Sequence, residues 1–321
     1  MILAFSGMAT STTSSCILTL SPPRNILTPG GGEMIAVLDM GSNSFILLVV
    51  SEKGKTVLEE VHEVGIASGN LEKAKEVFKE CVEKAEKMGA ELHVFGTAFF
   101  RKHPDIFQQI TGDRGEILPE EKEAYYSYVS VAKDFGKKDI LVADLGGGSL
   151  ELAWKDGYVS LELGTHVLNR TFSLTLPYIE PVDRIVEYVM KQLPEVKKDE
   201  LFGVGGSFVA LAALMKGKWD LEILHGSVLK LEEVERLVDK IKRLSFEDVK
   251  NLNVLPVGRE KTILAGGIVT VALLRKYSPK MTVSTRGYRY GIVWEILEKR
   301  WRARGDSNPQ PPDPQSGALS N

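Results

Sequence analysis

A short pattern that occurs twice limits the folds open to this chain. Ile35–Leu38 is an apolar run closed by Asp39, followed by Met40, Gly41, Ser42, Asn43 and Ser44 and then by a second apolar run, Phe45–Val50. Ile140–Ala143 leads in the same way to Asp144, Leu145, Gly146, Gly147, Gly148 and Ser149, after which Leu150, Leu152 and Trp154 alternate with other residues. Each copy reads as strand, tight turn, strand. Successive small residues let main-chain N–H groups point into one concavity and let a phosphate approach the backbone. Alone, such a turn is an ordinary hairpin with an acid beside it. Repeated at the head of each half of a chain that continues with helices, it predicts two similar α/β lobes facing each other across a cleft, each with one phosphate loop. A third turn, Gly203-Val204-Gly205-Gly206-Ser207, opens a helical pattern over Phe208–Met215, so its amides could also face an anion. Asp144 and Glu151 bracket the second loop with hard oxygens of the kind Mg²⁺ prefers.

Composition narrows the function classes. A 43% apolar and 26% charged chain of 321 residues is that of a globular protein of one large or two medium domains. The formal charge of −3 argues against general nucleic-acid binding, DNA included, while leaving room for a local basic pocket. Cys16 and Cys81 form no metal or redox motif, which makes a reducing cytoplasm the default, and the five histidines show no metal-ligand spacing. No apolar run reaches the roughly 18 residues of a membrane span.

Residues 1–33, rich in Ser, Thr, Pro and Gly, are expected to be a disordered extension lying outside the core, with Met34 the expected native start. Strands are expected over Phe45–Val64, then a helix over Leu71–Met88 with Ala74, Val77, Phe78, Cys81 and Ala85 on one face. Leu92–Phe95 reads as a parallel-type strand running into Gly96–Arg101, which places Arg101 at a carboxyl edge, where open α/β sheets bind ligands. Pro119 and the acids after it open a helix, an adequate structural account of those glutamates. Glu123 could also orient a water against a phosphate. Beyond the second hairpin, a strand is expected over Tyr158–Leu163 and helices around Thr165–Leu176, Val182–Leu193, Leu231–Leu244 and Val257–Leu274. A strand over Met281–Ser284 and a last helix, Tyr290–Trp301, complete the core, and residues 303–321 read as a disordered tail. The lobes are expected at 34–143 and 144–302.

The ordered set Asp39–Ser44, Gly96–Arg101, Glu120–Ala124, Asp144–Glu151, Glu162–Gly164, Gly203–Ser207, His225-Gly226, Leu264–Gly266 and Val283–Gly291 resembles the exopolyphosphatase/guanosine pentaphosphate phosphatase (Ppx/GppA) family from about Met34 to about Trp301. The resemblance implies an actin-like (ASKHA) fold of two ribonuclease-H-like lobes around a central cleft. The implied activity is removal of a terminal phosphate from inorganic polyphosphate or guanosine pentaphosphate, assisted by Mg²⁺ or Mn²⁺. By position, Glu123 matches the catalytic glutamate that activates water, and Arg101 the arginine near the scissile phosphate. Asp144 and Glu151 match the metal-binding acids, joined by Asp39 of the first loop. Ser42, Asn43 and Ser44, then Gly146, Gly147, Gly148 and Ser149, then Gly205, Gly206 and Ser207 match the phosphate loops. Leu150 stands where the family has Thr, Lys122 where it has an acid, and Tyr290 where it has Glu. Two other readings fit facing phosphate loops: an actin-like ATPase or small-molecule kinase, and a nucleotide or alarmone sensor without turnover. A homodimer is compatible with the sequence, which does not specify one.

Overall fold

The computed structural model describes residues 34–303 apart from Asn43, Ala67, Ser68 and Val257. The N-terminal extension and the tail after Ala303 lie outside the described residues.

The first sheet begins with β1 (Met34–Met40), β2 (Ser44–Ser51) and β3 (Thr56–Glu63) as an antiparallel meander, continued after helix α1 (Leu71–Lys87) by β4 (Ala90–Gly96). Helices α2 (Ala98–Lys102) and α3 (Pro104–Thr111) lead to the short β5 (Glu116–Ile117), and the strand order is β3-β2-β1-β4-β5. Helix α4 (Glu120–Asp134) connects to the second sheet, where β6 (Ile140–Leu145), β7 (Leu150–Trp154) and β8 (Gly157–Leu161) repeat the meander. After α5 (Thr165–Phe172) and α6 (Asp183–Gln192) comes β9 (Glu200–Val204), parallel to β6. Then follow α7 (Gly206–Lys216), α8 (Leu221–Leu224), β10 (Val228–Lys230), α9 (Leu231–Ile241), α10 (Phe246–Lys250), α11 (Ile263–Lys276), β11 (Lys280–Ser284) and α12 (Tyr288–Ala303).

The second sheet is ordered β10-β11-β9-β6-β7-β8. Without β10 it reads third, second, first, fourth, fifth strand of its half, which is the order of the first sheet. The duplication seen in two short loops therefore extends to the whole topology, and the fold is the expected actin-like pair of ribonuclease-H-like lobes. The central strands β1 and β6 are apolar along almost their whole length because helices cover both faces of their sheets.

The two central helices set the geometry of the cleft. Ala124, Tyr128 and Val131 of α4 pack with Ile140, Val142 and Phe202 of the second sheet. Ile292, Val293 and Leu297 of α12 pack with Ile35, Val37 and Leu48 of the first. Each helix thus covers the sheet of the other half of the chain, and a boundary at residues 143/144 falls within β6 and divides neither the sheets nor the packed units. The helices meet where a Cβ on Gly291 would lie 2.0 Å from the Tyr126 carbonyl oxygen, so only glycine allows this approach. On the outer faces, Ala74, Phe78 and Cys81 of α1 lie on the first sheet, while α6, α7, α9 and α11 close over the second.

Candidate active site

Strand pairing fixes the loops. In the first, Asp39 lies opposite Ile46 and Met40 opposite Phe45; in the second, Asp144 lies opposite Glu151 and Leu145 opposite Leu150. The closing bond is also shared, with the amide of Gly41 donating to Ser44 O and that of Gly146 to Ser149 O, both at 3.0 Å. Residues directly opposite in an antiparallel pair share a face. The second loop therefore presents two acids together, whereas the first presents one acid beside Ile46.

The start of α5 orients the second loop. Thr165 N donates to Gly146 O at 3.1 Å and His166 N to Gly147 O at 2.9 Å. In a trans peptide the N–H points opposite to the carbonyl, so the amides of Gly147 and Gly148 face away from α5. A Cβ on Gly164 would come within 2.3 Å of Gly148 C and 2.4 Å of Ser149 N, so the helix reaches this loop only because residue 164 is glycine. The third turn leans on the same loop: Gly205 has φ +106°, and a Cβ there would lie 2.9 Å from Leu145 O and 3.3 Å from Asp144 Oδ1. Ser207, in the first turn of α7, is buried. Ser42 and Ser44 flank the turn of the first loop, half-buried, and Asn43 between them lies outside the described residues.

Four carboxylates gather between these loops. Asp144 accepts from Ser127 Oγ of α4 at 2.8 Å, and Glu151 from Ser160 Oγ of β8 at 3.2 Å. Glu123, in the first turn of α4, accepts from Arg101 Nη1 at 2.7 Å, and the same nitrogen donates to Leu118 O at 2.9 Å. Asp39 pairs with Arg289 Nη1 at 3.1 Å, while Arg289 Nη2 holds Glu59 at 2.9 Å. Burial raises Glu123 to about 7; Arg101 opposes the shift, and the charges of Asp144 and Asp39 add to it. Burial, then Asp144 and Glu123, raise Glu151 to about 8. Asp144 and Asp39 are also raised by burial, against the pull of Ser127 on Asp144 and of Arg289 on both. Of the three acids expected to serve a cation, Asp39 is the one already neutralised by an ion pair. Among the described residues Asp144 and Glu151 have no cationic partner of that kind, and a divalent cation fits their hard oxygens. Among the described residues no three acids, imidazoles or thiols stand close enough to enclose an ion unaided. Substrate and water oxygens would have to complete the shell, as is usual for Mg²⁺.

Sequence reasoning missed three side chains. Arg259 precedes α11, and its guanidinium lies where a Cβ on Gly206 would be, 2.0 Å from Nη2, at the mouth of the third turn. Burial alone lowers its pKa, and no acid opposes that shift. The only local signal was a cation just ahead of an apolar helix. The exposed imidazole of His166 lies over the second loop, its Cδ2 2.5 Å from where a Cβ on Gly147 would be. Tyr288 opens α12, buried at 6% exposure, with its hydroxyl directed to the Asp39 carboxylate and the charge of Glu123 nearby. By contrast, Cys81 is an inert core thiol pushed up to about 12 by burial. Among the described residues no helix is long and apolar enough to cross a membrane.

These features define a two-lobed α/β protein with glycine loops and carboxylates gathered between its lobes. The chain belongs to the Ppx/GppA phosphatase family, whose model matches residues 37–300. It is 26% identical over 312 residues to a guanosine-5'-triphosphate,3'-diphosphate pyrophosphatase of Photobacterium profundum, covering 86% of this chain and 61% of the relative. A protein of the same description from Vibrio parahaemolyticus is 26% identical over 310 residues, covering 84% and 60%. The chain thus spans about three fifths of the length of these relatives. Its fold matches the crystal structure of the Aquifex aeolicus Ppx/GppA family member at TM-score 0.72 and 24% identity, covering 83% of this chain and 98% of that one. It also matches an exopolyphosphatase from Cytophaga hutchinsonii at TM-score 0.71 and 20% identity, covering 83% and 98%.

Proposed function

We propose that this chain is a phosphohydrolase that removes the terminal phosphate of a phosphoanhydride, inorganic polyphosphate or guanosine pentaphosphate, by attack of water. Membership of a phosphatase family supports the reaction class, and the names of the relatives support the substrate class. The observation that carries the reading is Glu123, a carboxyl raised to about 7 at the junction of the two lobes. A base of that strength can take a proton near neutral pH and later release it.

The terminal phosphate sits among the loop amides of Gly147 and Gly148, the Ser42–Ser44 loop and the third turn, with Arg259 and Arg101 neutralising oxygens. Glu123 accepts a proton from the attacking water, the oxygen bonds to phosphorus, and the bond to the bridging oxygen breaks with its electron pair going to the departing phosphate chain. Arg101 Nη1, already bonded to Glu123, holds that carboxylate in place. Asp144 and Glu151, fixed by Ser127 and Ser160, would hold Mg²⁺ or Mn²⁺, which when bound neutralises charge on the phosphate oxygens. We place the reaction in the cytoplasm and the active unit in residues 34–303, with the lobes joined through α4 and α12. Phosphate release from polyphosphate, guanosine pentaphosphate and ATP tests the reading. Release from either of the first two supports it, and release from none of the three refutes it.

A further inference from the structure

Among the described residues the chain passes from one sheet to the other twice, at 118–119 between β5 and α4 and at 285–287 between β11 and α12. Pro119 stiffens the first crossing. The second is tied down by a polar cluster that the proposed reaction does not use. Asp134 ends α4 with its side chain 3% exposed; Oδ1 forms an ion pair with Arg286 Nη1, and His225 Nε2 lies 3.0 Å from Oδ2. One turn earlier on α4, Ser130 Oγ donates to Arg286 O at 3.2 Å, and Thr285 N donates to His225 Nδ1 at 3.3 Å. Asp134, Ser130 and His225 thus tie the crossing to elements packed on the second sheet. On its other side the Arg286 guanidinium lies over the ring of Tyr290, 5.3 Å from the centroid, and the Tyr290 hydroxyl donates to Glu59 Oε2 of β3 at 2.9 Å. Arg286 therefore joins α4, on the second sheet, to a side chain anchored in the first.

The helices α4 and α12 touch at Tyr126 and Gly291, and Asp134 lies about 12 Å further along α4 at the usual rise per residue. A tie that far from the point of contact resists rotation of one helix over the other better than a tie beside it. The pair of Lys133 with Glu298, at the same end of α4, is solvent-exposed and of the kind that contributes little. Opening the Asp134–Arg286 pair would leave a buried carboxylate without its cation, so the pair favours one arrangement of the helices. We infer that Arg286 is a positioning residue that holds the lobes at the separation at which the first loop, the second loop and the third turn reach one phosphate. The assignment rests on the proposed phosphohydrolase reading, in which the terminal phosphate bridges loops of both lobes. Arg286 acts through α4 and α12 and touches no substrate. Without it the lobes sample other angles, and apparent affinity falls by the fraction of molecules whose loops stand at the bridging distance. Bound substrate selects that arrangement, so the chemical step at Glu123 is unchanged once the site is saturated.

The test is Arg286→Ala and, separately, Asp134→Asn in the full chain. Lobe separation is read by pulsed electron paramagnetic resonance between nitroxides on Lys73→Cys of α1 and Lys240→Cys of α9, in a Cys16→Ser background; both lysines are exposed, and Cys81 is buried. Pyrophosphate affinity by calorimetry in fixed Mg²⁺ and phosphate-release kinetics are measured on the unlabelled chains. The ligand-free distance distribution is expected to widen, the pyrophosphate Kd and the substrate KM to rise about 3- to 10-fold, and kcat to stay within about two-fold of wild type. A distribution as narrow as that of wild type overturns the assignment, whatever the melting temperature does, because Arg286 is then only structural. A wider distribution with Kd within about two-fold of wild type also overturns it, and so does a fall in kcat of about ten-fold or more, which would mean that Glu123 itself is displaced. Where Arg286→Ala yields no soluble chain, Asp134→Asn decides by the same criteria, since it keeps the shape of the side chain and leaves no buried charge unpaired. A wild-type chain that binds pyrophosphate but hydrolyses no phosphoanhydride refutes the hydrolase reading and leaves Arg286 to be judged by separation and Kd. A wild-type chain that binds no pyrophosphate refutes both.

Discussion

Replacing Glu123 by Gln separates a base poised in the cleft from a carboxylate that only favours the start of a helix. The carboxyl sits at about 7 against an ordinary value of 4.5. Each pKa unit is worth about 1.4 kcal/mol, so ionised Glu123 costs the folded state about 3 kcal/mol, to order of magnitude. The sign follows from proton counting. Between about 4.5 and about 7 the folded chain keeps a proton that the unfolded chain has lost, so this group's contribution to stability falls as pH rises through that window and is level above it. Glutamine removes the dependence while still accepting from Arg101. The variant is therefore expected to gain stability on wild type between pH 5 and pH 8 in metal-free buffer, followed by denaturant unfolding at each pH. It cannot take a proton, so kcat should fall by about 10²–10⁴. Glu120→Gln and Glu121→Gln, in the same helical turn, should change stability by no more than about 0.3–1 kcal/mol and leave kcat near wild type. A Glu123→Gln chain within a few-fold of wild-type kcat, or one whose relative stability is the same at pH 5 and pH 8, would refute the reasoning.

Magnesium should raise the melting temperature by mass action, more at pH 8.5 than at pH 6, because Glu151 ionises only near 8. Asp144→Asn or Glu151→Gln should abolish that shift, and a pH-independent shift would place the cation elsewhere. Arg259→Ala should weaken pyrophosphate binding at least ten-fold while leaving the metal-free melting temperature unchanged or higher, since no acid loses a partner; a large drop in melting temperature would make Arg259 structural. Gly164→Ala should cost about 1–3 kcal/mol by overpacking and lower kcat/KM with it, because the new methyl meets main-chain atoms of the second loop and not a side chain that can turn aside. A variant with wild-type stability and kinetics would show that the loop yields freely.

What could be read in advance was local. A hairpin is decided by an apolar run, an acid and small residues within about a dozen positions, and both hairpins stand where the pattern put them. The face of α1 was legible for the same reason, through the spacing of Ala74, Phe78, Cys81 and Ala85. Helix ends were less so. Alpha-helix α11 begins at Ile263, where Val257 was expected, because a 3₁₀ turn over Arg259–Lys261 intervenes. Helix α12 begins at Tyr288, two residues before the expected Tyr290. That shift matters, since it puts Tyr288 and Arg289 on the helix that faces Asp39.

The exchange of α4 and α12 between sheets was not legible at all, because it depends on how two distant helices cross, and no periodicity records a partner. The same limit explains which site residues escaped notice. Glu123, Asp144 and Glu151 belong to patterns continuous in sequence, while Arg259 and Tyr288 come from segments that follow the second loop by more than a hundred residues. Once α12 lies on the first sheet, Arg289 must neutralise Asp39 and join it to Glu59, which is why the first loop's acid is paired and the second loop's acids are not. The two loops are thus alike in backbone and differ in the pairing of their acids. The duplication supplies two glycine- and serine-lined loops, and in the proposed site the crossing of the central helices would leave the cation to the second.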